Sequence, residues 1–182
     1  MFGRFFADKQ GRCDMTQVNA KDILYVLTRE FDLERENTDK RLVLQKTIYL
    51  LQAYGLKLGY GFSWYRYGPY SQDLVRDAYE VLHFGNQNYK KRTDKIEFNA
   101  DCKKRFNDFK KICGDAIGDP AKLELIASVD FARTTWYPNV DEATFISKFK
   151  AHKNYLFNGD EVNDEMVRKA LGVVNTLREK AA

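Results

Sequence analysis

Gly59-Tyr60-Gly61-Phe62-Ser63-Trp64-Tyr65-Arg66-Tyr67-Gly68-Pro69-Tyr70-Ser71 interrupts a chain whose other apolar residues recur mostly at helical spacing. Its aromatic rings and two early glycines favour extended backbone over helix, so the sequence predicts a short strand within Gly59 to Tyr67. Gly68-Pro69 is then expected to turn, and Ser71 to cap a helix with Leu74, Ala78, Val81 and Leu82 on its apolar face. Upstream, Thr38 is the expected N-cap of a helix carrying Leu44, Ile48 and Leu51 on one face, and Gly55 stands where that helix would end. Before it, Ile23, Leu24, Leu27 and Phe31 form the stripe of a first helix that starts near Asn19 and gives way to the charged run Glu34 to Glu36.

Downstream, the polar stretch Asn86 to Asp94 leads into Lys95-Ile96-Glu97-Phe98, whose alternation predicts a small basic hairpin. Asn99 or Asp101 is the expected cap of a fourth helix, with Cys102, Phe106, Phe109 and Cys113 on one face and the lysines outward. Asp119-Pro120 opens a fifth through Leu123, Ile126 and Ala127 to Trp136-Tyr137-Pro138. Two further helices are expected, one around Phe145 and Phe149 and one from Asp164 to Leu177. The fold class expected is therefore mainly α: a compact helical domain over 16–182 with a small antiparallel β element, compatible with a winged-helix-like unit. Residues 1–15, with Gly3, Gly11, scattered charges and no period, read as a poorly ordered leader or as sequence upstream of a start at Met15.

Composition narrows the function classes. Apolar residues form 44% and charged residues 31% of 182, a balance that supports a packed core rather than disorder. The three cysteines, Cys13, Cys102 and Cys113, make no CxxC pair, and their odd number argues against a complete disulfide framework; a reducing cytoplasm fits better. No apolar run reaches the roughly 20 residues that span a bilayer, and the first ten residues lack a signal peptide's apolar stretch, so no membrane partner is expected. Net charge is only +4, yet nine basic residues fall between Lys90 and Lys111 against four acids, so any attraction to nucleic acid resides there.

Two surfaces stand out. Lys90, Lys91, Arg92 and Lys95 on the expected hairpin would contact the phosphates of double-stranded DNA, giving affinity without sequence preference; Lys103 and Lys104 on the fourth helix and Arg76, a donor on the third helix that would lie in the groove, complete the expected nucleic-acid set. A solvated charged loop explains the hairpin cations as well. Trp64, Arg66, Tyr67 and Tyr70 pair aromatic rings with an arginine beside a rigid turn, which suits either a packed corner or a surface that holds a partner chain. For catalysis, His83 and His152 have no nucleophile or acid at a diagnostic spacing, and Gly59-Tyr60-Gly61 lacks the third glycine of a dinucleotide loop. Asp160, Glu161, Asp164 and Glu165 sit where the dipole of a helix start favours acids in any case. No catalytic residue, metal site or cofactor is expected.

The segment Leu44-Gln45-Lys46-Thr47-Ile48-Tyr49-Leu50-Leu51, then Gly55-Leu56, then Tyr65-Arg66-Tyr67-Gly68-Pro69-Tyr70-Ser71-Gln72-Asp73-Leu74 resembles the central signature of the uncharacterised bacterial YwgA-like proteins. More distantly it resembles the Panacea domain of SocA-like antitoxins, whose turn is matched by Tyr67, Gly68 and Pro69. Leu123 to Ala127 and Lys153 to Phe157 are similar to YwgA-like proteins too. The resemblance implies a helical fold with a small sheet and a role in transcriptional regulation, toxin neutralisation or phage defence. Two functions follow as expectations: a winged-helix-like, nucleic-acid-binding regulator, or a protein-binding antitoxin or accessory subunit whose partner is encoded nearby.

Overall fold

The computed structural model describes residues 6–7, 13–14, 20–31, 38–84, 89, 93, 98 and 100–181. Seven α-helices occur among them: α1 (Ala20–Glu30), α2 (Thr38–Ala53), α3 (Gln72–Tyr79), α4 (Ala100–Cys113), α5 (Pro120–Phe131), α6 (Glu142–His152) and α7 (Asp164–Ala181). Short π-helical turns extend α3 over Glu80–Phe84 and α5 over Ala132–Trp136. Phe6–Ala7 (β1) and Cys13–Asp14 (β2) pair antiparallel inside the segment read as a leader. Ser63–Tyr65 (β3) and Gly68–Tyr70 (β4) form the hairpin between α2 and α3.

α5 is the axis of the molecule. Every residue from Leu123 to Asp130 is buried, so over that stretch the helix has no solvent face, the pattern of an element surrounded by others. α2, α7 and β4 pack around it. Its start is as the sequence predicts: Asp119 accepts from the Lys122 amide at 3.0 Å with Pro120 in the first turn. The end of α2 also follows the sequence. Leu56 N–H reaches the Leu51 carbonyl (2.9 Å), Gly55 N–H reaches that of Gln52 (3.0 Å), and Gly55 takes φ +103°, the arrangement in which a left-handed glycine closes a helix.

Of the three buried polar side chains on this axial helix, Glu124, Ser128 and Asp130, two are satisfied internally. Glu124 accepts from Lys153 Nζ at 2.5 Å and from the Phe157 amide at 3.0 Å. Asp130 accepts from Tyr49 Oη at 2.6 Å and takes a two-pronged contact from Arg178 at 2.8 and 2.7 Å, which fastens the end of α7 to the core. Ser128 Oγ is buried with no hydrogen-bond partner.

Four expectations change. The turn between β3 and β4 is Arg66-Tyr67, while Gly68-Pro69 lies in β4: Trp64 faces Pro69 in the register, and a proline without N–H is tolerated there because its carbonyl points away, to Lys46. The basic hairpin expected over 86–98 is not formed at Tyr89 and Thr93, which are helical; Thr93 Oγ1 donates to the Tyr89 carbonyl at 2.7 Å. No winged-helix arrangement is seen among the described residues. Cys102 is disulfide-bonded, a departure from reduced thiols throughout, whereas Cys113 is a buried free thiol whose pKa burial pushes up to about 12. No described helix is long and apolar enough to cross a membrane.

Candidate functional site

The hairpin is held to α2 by side chains that replace a neighbouring strand. Gln45 donates to the Ser71 carbonyl at 3.0 Å and accepts from the Ser71 amide at 2.9 Å. One helical repeat later, two turns along the same face, Gln52 does the same for Tyr60 at 2.9 and 3.0 Å. Lys46 Nζ donates to the Pro69 carbonyl at 2.7 Å. Both ends of the segment 60–71 are therefore bracketed by amide groups on one helix.

On the inner side, Gly68 meets α5 directly. Its φ is +81°, and a Cβ placed there would lie 2.2 Å from Ser128 Oγ, so only glycine lets β4 approach the axial helix. Trp64 also turns inward: its ring lies 4.5 Å from Trp136 and 5.8 Å from Phe131, and His152 packs edge-on to Trp136 at 4.4 Å.

The outer side is a cleft of about 250 Å³ lined by Arg41, Leu42, Gln45, Lys46, Tyr65, Tyr67, Gly68, Tyr70 and Val75. Tyr65 is 64% exposed with its ring 5.3 Å from that of Tyr70. Arg66 stacks over Tyr67 at 5.2 Å, and Tyr67 meets Phe157 edge-on at 6.2 Å. Lys46 forms the floor at 2% exposure. Burial pulls its pKa down to about 7; Lys153 adds to that and Glu124 opposes it.

The partner-binding set expected from sequence thus divides. Tyr67 and Tyr70 line the cleft and Arg66 flanks it, while Trp64 belongs to the core. Tyr65, Arg41 and Val75 were missed; Arg41 and Val75 lie on α2 and α3, so only the closure of the hairpin against those helices brings them in.

The nucleic-acid set does not assemble among the described residues. Lys90, Lys91, Arg92 and Lys95 lie outside them. Lys103 and Lys104 are exposed on α4. Arg76 is exposed on α3 but faces two acids of its own helix, Asp73 at 2.9 Å and Asp77 at 3.8 Å, which offset the charge a phosphate would need. The acids at the start of α7 pair with lysines, Asp164 with Lys150 at 2.7 Å and Glu165 with Lys169 at 2.7 Å. The His83 side chain is outside the described set.

No family model, curated protein or solved structure matches this chain.

Proposed function

We propose that this chain is a non-enzymatic regulatory protein that acts by holding a partner protein, encoded nearby, in the cleft between the β3–β4 hairpin and α2. The observation that carries this reading is the exposed Tyr65 ring, paired with Tyr70 on a hairpin whose backbone is fastened to α2 by Gln45 and Lys46. Rigid, amphipathic tyrosines bind with little loss of side-chain freedom, and arginine and tyrosine together are typical anchors of protein interfaces. An antitoxin or accessory subunit of a toxin or defence system works in this way.

The test is co-expression with the products of neighbouring genes followed by purification through a tag on this chain. A stable complex is expected, lost in Tyr65→Ala/Tyr70→Ala while the circular dichroism and melting curve stay close to wild type. No complex with any neighbour, or one indifferent to that double substitution, contradicts the reading.

Nucleic-acid regulation is the second reading, supported by the exposed Lys103 and Lys104 on α4. It requires binding to a labelled random-sequence duplex that weakens steeply with salt as counterions are released. Absence of binding at low salt removes it.

A further inference from the structure

We infer that the cleft between the hairpin and α2 is a carboxylate site, which takes an acidic anchor, an aspartate, glutamate or C-terminal carboxylate, presented by the partner chain. The inference rests on the protein-binding reading above and specifies its chemistry.

Charge is the first ground. The residues lining the cleft include two cations, Arg41 and Lys46, and no aspartate or glutamate. Arg41 is exposed at the rim and forms no ion pair among the described residues. Beneath the rim, the buried set Lys46, Lys153 and Glu124 holds two lysines to one carboxylate. That carboxylate is committed to Lys153 and the Phe157 amide, so Lys46 has only the Pro69 carbonyl as a hydrogen-bond acceptor. Burial disfavours the Lys46 ammonium although Glu124 attracts it more than Lys153 repels it, and an anion entering the cleft adds a further favourable charge.

Shape is the second ground. About 250 Å³ exceeds the roughly 150 Å³ that holds a benzene ring but lies below the roughly 300–1,000 Å³ usual for drug-sized ligands, so one side chain fits where a cofactor does not. Tyr65, Tyr67 and Tyr70 supply aromatic rings and hydroxyls to the same cleft as Arg41, whose guanidinium can grip a carboxylate with two parallel hydrogen bonds.

The charged and titratable groups around Lys46 are Arg41 on α2, Tyr65, Tyr67 and Tyr70 on the hairpin, Glu124 on α5 and Lys153 after α6. Lys46 changes charge near neutrality, so anion affinity is greatest when it is protonated and declines as pH rises above about 7.

The probe is 4-fluorophenylacetate, whose carboxyl stays ionised above about pH 6, followed by fluorine NMR line broadening with the full chain. Two analogues share its ring: 4-fluorobenzylamine, a cation, and 2-(4-fluorophenyl)ethanol, which is neutral. The acid is expected to bind at pH 6 at least about tenfold more tightly than either analogue, as one charge-assisted contact would give. Arg41→Gln, at an exposed position, is expected to weaken it about tenfold, and affinity is expected to fall between pH 6 and pH 9. Lys46→Met is expected to abolish the pH dependence. Equal binding of all three probes, or an Arg41→Gln protein that binds the acid unchanged, overturns the inference. Co-purification of a neighbouring protein without probe binding removes the carboxylate site alone; probe binding without any co-purifying protein keeps that site and removes the partner.

Discussion

Gly68 on β4 lies directly against Ser128 on α5. An alanine at 68 meets the Ser128 hydroxyl at 2.2 Å and must also adopt φ +81°. Overpacking and left-handed strain together predict that Gly68→Ala lowers stability by about 2–4 kcal/mol, read from the urea midpoint at unchanged slope. Ser128→Ala removes a buried hydroxyl that has no partner, so it is expected to be neutral or stabilising, and to recover part of the loss when combined with Gly68→Ala. Lys46 predicts a pH effect of opposite sign to the usual carboxylate case. Its folded pKa, about 7, lies below its unfolded value of 10.5, so between those limits the unfolded chain binds more protons and stability rises with pH. The slope approaches about 1.4 kcal/mol per pH unit in mid-window. Cys113, Tyr49 and Tyr60, all shifted upward by burial, act against it above about pH 9, where their unfolded forms ionise. Thermal melts should therefore show stability increasing from pH 7 to 9, with that rise absent in Lys46→Met; an identical rise in the variant contradicts this account of Lys46.

At the scale of elements, α2 is a rail for the non-helical segment rather than only a core helix. Gln45→Leu leaves the Ser71 N–H buried without a partner, while the Ser71 carbonyl keeps the Val75 amide (3.3 Å), and is expected to cost on the order of 2 kcal/mol by urea denaturation. The sequence discloses much of this layer. Capping residues Ser71 and Asp119, Gly55 at the end of α2 and the apolar stripes of α4 and α7 were readable because each depends on a few neighbouring residues. The hairpin was half-readable: its aromatic composition signals extended chain, but the turn falls at Arg66-Tyr67 because tertiary contacts from Lys46 and Ser128 fix Gly68-Pro69 as strand. The roles of Gln45 and Lys46 were not legible from periodicity, since polar residues on an apolar face look like interruptions until the partner segment is in place.

For the whole molecule, cleft and basic face are separate surfaces, carried on different helices. If the protein-binding reading holds, Lys103→Glu/Lys104→Glu should abolish any weak, salt-sensitive association with duplex DNA while leaving partner capture unchanged. Loss of both together would place the partner on α4. The missed members of the site, Arg41 and Val75, show why the surface was only partly legible: each is an ordinary exposed residue of its own helix, and only the packing of α2 and α3 around the hairpin makes them neighbours of Tyr65. The most direct test of the central claim is amide hydrogen exchange on the full chain, alone and in complex with its co-purified partner. The account predicts new protection concentrated in peptides covering 41–46 and 63–70, with α4 unchanged; protection confined to 100–111, with the hairpin exchanging as in the free protein, would contradict it.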